Sequence, residues 1–158
     1  MSKKSNKINK LLNTQCTSTN NVTIKTKNMY DDMYGQNTGI IELKYKDFTY
    51  NKKNNSLKCN HPVFKDVNKG IIIFYAPWCP HCVNMYDDII ELSINYMNIF
   101  PIAVVNIEDL KNKNDLLTSY AYVTKYPTMK VLNKNLIIEN YNNDLTKDNI
   151  TYYINMNM

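Results

Sequence analysis

The chain has 158 residues, 44% of them hydrophobic, enough to bury one core and too few for two ordinary domains. Its formal net charge of +5 gathers at the start, because Lys3, Lys4, Lys7, Lys10, Lys25 and Lys27 all precede the first acid, Asp31. Beyond residue 30 the chain is close to neutral, which argues against a nucleic-acid-binding face and leaves only a weak, salt-sensitive contact through the Lys-rich tail.

Residues 1–37 are rich in Lys, Asn, Ser and Thr without sustained periodicity, and they read as a disordered tail ahead of a single domain at 38–158. A β-type stretch at Ile40–Tyr45 precedes an Asn-rich segment, Asn51–Asn60, expected to be a loop. Ile71-Ile72-Ile73-Phe74-Tyr75 is a short β-branched and aromatic run that suits a central strand buried on both faces. Pro77-Trp78-Cys79-Pro80 then turns the chain into a helix, with Pro80 in its first turn, where a missing N–H costs nothing. Cys82, Met85, Ile89, Leu92 and Tyr96 line one face of that helix, which should run to about Phe100 before Pro101 stops it.

Ile102–Val105 reads as another buried strand and Leu116–Tyr122 as a short helix. Thr128–Leu132 and Leu136–Tyr141 form a hairpin around Asn133-Lys134-Asn135, and Leu145–Ile154 closes the chain as a helix capped by Asp144 or Thr146. The order predicts an α/β fold, a mixed sheet with helices on both faces.

Phe74-Tyr75-Ala76-Pro77-Trp78-Cys79-Pro80-His81-Cys82 resembles the active-site segment of the thioredoxin superfamily, and its lead-in is most similar to the catalytic domains of protein disulfide isomerases. The resemblance implies a thioredoxin fold and a thiol–disulfide oxidoreductase. Cys79 would be the nucleophile, because a thiol at a helix N-terminus faces unpaired N–H groups that favour thiolate. Cys82, nearly one turn on, would be the resolving thiol.

Pro80 and His81, between the cysteines, resemble the pair of strongly oxidising periplasmic enzymes. They imply a potential between about −270 and about −120 mV, nearer the oxidising end. In Tyr126-Pro127-Thr128 the family places a cis-proline facing the disulfide, with Tyr126 offering its backbone to an extended substrate; Trp78 would lie at the same surface. The expected partners are protein thiols and disulfides, with a thiol oxidase or reductase as electron partner. No cofactor is expected, since the cysteines carry the two electrons. The alternative reading is a non-catalytic polypeptide-binding module, which would survive replacement of both Cys79 and Cys82 by Ser.

Cys59-Asn60-His61 could join Cys79 and Cys82 in a zinc set, but zinc would quench the thiolate that the helix prepares, so no metal is expected and Cys59 reads as a loop or buried thiol. Cys16 reads as an inert tail thiol. All 19 basic residues are Lys and about one residue in six is Asn. This AT-rich signature suits a large AT-rich DNA virus. The polar first twenty residues hold no secretory h-region, and Ile71–Pro77 is too short to span a bilayer, so the sequence predicts a protein of the cytoplasm, or of a virion if viral.

The sequence departs from the family at two positions. The family usually carries a buried carboxylate six residues before the nucleophile, where this chain has Ile73, and often a Lys beside it, where this chain has Val104. Losing both charges together avoids an unpaired buried ion, but it slows deprotonation of Cys82. Mixed disulfides at Cys79 should therefore be long-lived. Replacing Ile73 by Glu is expected to raise turnover near neutral pH in a disulfide-reduction assay; an unchanged rate would remove resolution as the slow step.

Overall fold

The computed structural model describes Met33, Tyr34, residues 38–109 and residues 116–158. The rest of the expected tail, with Cys16, lies outside the described residues. Met33 and Tyr34 stand upstream of the expected boundary at residue 38 and are nonetheless buried in the core.

The run Ile71–Tyr75 lies within strand β4, Lys69–Tyr75, and is buried along its whole length. A strand with both faces covered cannot alternate polar and apolar residues, so its sequence is continuously apolar. β4 pairs in parallel with β5, Ile102–Asn106, and antiparallel with β6, Thr128–Asn133. The sheet grows outward from this centre. On one side β1, Ile41–Glu42, adds in parallel to β5. On the other, β7, Leu136–Asn140, continues from β6 through Lys134-Asn135, both at positive φ, which is the two-residue hairpin geometry that matches strand twist.

Two expectations about the strands are corrected. Ile40–Tyr45 supplies only the two-residue β1, because a 3₁₀ turn begins at Tyr45. The Asn-rich segment is not a loop. Phe48–Asn51 (β2) and Ser56–Cys59 (β3) form a hairpin that extends the sheet beyond β7, giving seven strands in the order β1-β5-β4-β6-β7-β3-β2. In β3 the side chains alternate, with Leu57 and Cys59 buried and Lys58 exposed, so β3 is a half-buried strand whose short pattern the surrounding Asn residues obscure.

Helices flank this mixed sheet: α1, Pro80–Asn84; α2, Tyr86–Tyr96; α3, Leu116–Tyr120; and α4, Lys147–Asn157. The single helix expected from Pro80 to Phe100 is in fact two. The chain kinks at Met85, whose N–H is shared between the carbonyls of His81 and Val83, so the regular bonding ladder is interrupted there. α2 stops at Tyr96, whose carbonyl accepts from both Ile99 and Phe100; the residue before Pro101 is also biased away from helix. α4 lies beside α2, joined by Tyr96 Oη to Asn155 Oδ1 at 3.1 Å and Lys147 Nζ to Glu91 at 2.7 Å. Thr146 caps α4 by accepting from Asn149 N at 3.3 Å.

Gly70 starts the buried part of β4 because nothing larger fits. A Cβ there would stand 2.5 Å from the Phe64 ring and 3.0 Å from the Pro101 carbonyl oxygen. That carbonyl is occupied by Ile71 N at 2.9 Å and Phe64 is buried, so neither can give way freely. Gly70→Ala is expected to destabilise the fold by about 1–3 kcal/mol through overpacking, read as a lower denaturation midpoint with unchanged slope.

Candidate redox site

The central strand delivers the site. After Tyr75 the chain leaves the sheet, Cys79 N donates to Ala76 O at 3.0 Å, and Cys79 takes the N-cap of α1 with extended backbone angles, its carbonyl accepting from Val83 N at 3.1 Å. Pro80, buried, occupies the first helical position, and His81 stands exposed beside it. Cys82 is buried in the core, with the backbone N–H of Ala76, just past β4, at its sulfur.

The two cysteines differ in electrostatics. Burial pushes the Cys82 thiol up to about 12, outweighing the backbone N–H groups of Ala76 and of Cys82 itself. Cys79 Sγ lies 3.4 Å from the carbonyl oxygen of Tyr126. The sulfurs are not bonded to each other in this state, since Cys82 is a free thiol whereas Cys79 is disulfide-bonded. Both sulfurs are buried, Cys79 beside the Tyr126 carbonyl.

Tyr126–Pro127 is a cis peptide bond, and it brings the strand entering β6 against the α1 N-terminus. Trp78 is half-buried, its ring edge-on to Tyr126 with centroids 6.3 Å apart. Beside this group opens a cleft of about 820 Å³, with His81, Met85, Tyr126, Pro127 and Lys147 among its walls. Trp78, Cys79, Cys82, Tyr126 and Pro127 thus converge at one end of the sheet, with Pro80 and His81 at the helix start.

Two carboxylates at this end escape a reading of the sequence. Glu108 follows β5 in a 3₁₀ turn and accepts from Trp78 Nε1 at 2.6 Å. Glu42, at the end of β1, accepts from Tyr75 Oη at 2.9 Å and is bonded to Lys44, which also reaches Asp109 at 2.6 Å. Their signal is position alone, since residues at the carboxyl ends of parallel strands collect at one edge of the sheet. Cys59 is elsewhere, buried in β3 at the opposite side of the sheet, where burial raises its thiol to about 11. His61 caps the 3₁₀ turn Pro62–Phe64, Nδ1 accepting from Val63 N at 3.3 Å.

Comparison with known proteins agrees with this geometry. The thioredoxin family profile matches residues 51–156. Among curated relatives, a protein disulfide-isomerase of Ricinus communis is 30% identical over 95 residues, 60% of this chain and 19% of that protein. Protein disulfide-isomerase 1 of Dictyostelium discoideum is 33% identical over 100 residues, 61% of this chain and 27% of that protein. The chain therefore aligns with only about a fifth to a quarter of the length of these relatives. In fold it is similar to the J-Trx1 fragment of ERdj5, with a TM-score of 0.55 and 19% identity over 75% of this chain and 51% of that one. It is also similar to human ERp44 in a zinc-bound form, with a TM-score of 0.54 and 16% identity over 74% of this chain and 29% of that one.

These relatives correct the expected localisation. They are proteins of the secretory pathway and not of the cytoplasm, and they lend no support to a viral source. No helix among the described residues is long and apolar enough to cross a membrane. With its CxxC-spaced cysteine pair, its mixed sheet and a family match over most of its length, this chain belongs to the thioredoxin family as a redox protein suited to thiol–disulfide chemistry.

Proposed function

We propose that the chain is a thiol–disulfide oxidoreductase acting on protein thiols, closer to an oxidant or isomerase than to a strong reductase. The observation that carries this reading is the inequality of its two sulfurs: Cys79 at a helix N-cap against the Tyr126 carbonyl, and Cys82 beneath it held as a thiol by burial.

In the oxidising direction a substrate thiolate attacks Cys79 Sγ of a Cys79–Cys82 disulfide. The S–S bond breaks, Cys82 leaves with the electron pair and takes up a proton, and the substrate is held as a mixed disulfide on Cys79. A second substrate thiolate then attacks the substrate sulfur, forming the substrate disulfide and releasing Cys79 as thiolate. The high pKa of Cys82 means that, once reduced, it stays protonated, so the mixed disulfide persists long enough for the substrate's own second thiol to compete.

Pro80 and His81 set the helix start at which the Cys79 thiolate is stabilised. Tyr126–Pro127 and Trp78, with the adjoining cleft, offer an extended polypeptide a backbone edge and an aromatic surface. Glu108, by holding the Trp78 indole, fixes that surface.

The reading is tested by equilibrating the protein in graded glutathione buffers and locating the disulfide by alkylation and mass spectrometry. A potential above roughly −200 mV for a Cys79–Cys82 pair is expected, and one below about −250 mV would mean a reductase. A pair that never cycles would leave the polypeptide-binding module in its place. Alkylation of the reduced, folded protein should separate the sulfurs by pH. Five pH units below its pKa of about 12, Cys82 is thiolate in only about one molecule in 10⁵ at pH 7. Iodoacetamide should therefore label Cys79 near neutrality and reach Cys82 only as the pH climbs toward 12; equal labelling at pH 7 would contradict the assignment.

A further inference from the structure

Cys82 can attack a mixed disulfide only as a thiolate, so its proton must go somewhere. Ile73 and Val104, at the two positions where the family resemblance would put buried charges, cannot take it, because they are buried hydrocarbons paired directly across β4 and β5. The same cross-strand row continues to a carboxylate. Glu42 pairs with Val104 as Val104 pairs with Ile73, so the three side chains leave the sheet on one face. At the spacing of adjacent strands Glu42 stands about 10 Å from Ile73 along that row.

Two tyrosine side chains, Tyr75 and Tyr34, pack beside this row. Tyr75, two residues beyond Ile73 and on the same face, donates to Glu42 Oε2 at 2.9 Å. Tyr34 packs edge-on against Tyr75, ring centroids 4.9 Å apart, and against Tyr86 at 5.2 Å. Tyr86 lies four residues past Cys82. Tyr34 thus lies between the end of β4 and the start of α2, the helix that follows the one carrying Cys82, and both Tyr34 and Tyr75 are buried.

We propose that Glu42 is the proton acceptor for Cys82 during resolution, with the hydroxyls of Tyr34 and Tyr75 passing the proton along. The proposal rests on Cys82 being the resolving thiol. The Cys82 S–H proton goes to Tyr34 Oη as the Tyr34 proton passes to Tyr75 and the Tyr75 proton to Glu42. Cys82 Sγ bonds to Cys79 Sγ, the bond from Cys79 to the substrate sulfur breaks, and the electron pair leaves on that sulfur. The protein dithiol is oxidised by two electrons and the substrate disulfide is reduced by two. Glu42, with a side chain 15% accessible, returns the proton to water.

The charges around the relay suit this direction. Lys44 sets its cation against both Glu42 and Asp109. Tyr34 is kept protonated, first by burial and then by its proximity to Cys82, Tyr86 and Asp87; Tyr75 is kept so by burial and by Glu42, with Tyr34 and Asp109 adding to it. Both hydroxyls therefore shuttle a proton without resting as phenolates. Asp87, also near Tyr34, is exposed on α2 and is the competing acceptor.

The test mixes reduced protein with excess oxidised glutathione, quenches with acid at intervals, and follows by mass spectrometry the glutathione adduct of Cys79 and its loss to the Cys79–Cys82 disulfide. Glu42→Gln and, separately, Tyr75→Phe are expected to slow loss of the adduct at least about tenfold at pH 7. The deficit should close above about pH 10, where hydroxide takes over as base, and adduct formation should be unchanged. Asp87→Asn should match the wild type. An unchanged rate in both Glu42→Gln and Tyr75→Phe, a deficit that does not depend on pH, or a pH-dependent deficit in Asp87→Asn instead would overturn the proposal. If Cys82→Ser loses its adduct as fast as the wild type, the assignment of Cys82 as resolving thiol fails, and not the relay.

Discussion

Burial of β4 on both faces is the constraint from which the rest of the molecule follows. Five consecutive large apolar residues, Ile71 to Tyr75, cannot face water on either side, so the strand must take the middle of the sheet with β5 and β6 as neighbours. Each such side chain contributes about 1.5–3 kcal/mol on full burial, and the contribution is lost if the register slips. Because β4 is held so firmly, the turn that leaves its carboxyl end has a defined position and direction, and the cysteines inherit both.

The same burial sets the chemistry. Cys82 sits in the apolar layer that covers β4, and desolvation alone makes it a reluctant acid. Cys79, three residues earlier, stands at the helix cap, where main-chain N–H groups can stabilise negative charge. Two identical side chains thus acquire different surroundings from a displacement of less than one helical turn. Ile73 and Val104 carry no charge, so the cross-strand row they form is hydrocarbon until it reaches Glu42.

Two polar contacts among the described residues stand at the edge of this site. Trp78 is held by Glu108 and Tyr75 by Glu42, and both carboxylates lie at the same edge of the sheet, one on the turn after β5 and one at the end of β1. The edge hairpin β2–β3 widens the sheet on the far side, and Cys59 is buried there as a core thiol.

The sequence by itself determined the central strand, the helix start at Pro80, the second buried strand, the β6–β7 hairpin and the cysteine pair, because each is a local signal: a run of apolar residues, a proline, a fixed spacing. It missed the β2–β3 hairpin, where a four-residue alternation lies among Asn residues, and the break at Met85, where no proline or glycine marks the interrupted ladder. Tertiary structure alone decided that Tyr126–Pro127 lies against Cys79 across 47 residues of chain, that Met33 and Tyr34 join the core, and that Glu42 and Glu108 serve this end of the sheet. Those placements depend on strand order and register. A carboxylate is legible in the sequence as a residue type, but the partner its oxygen meets is fixed only when β1, β5 and β4 align.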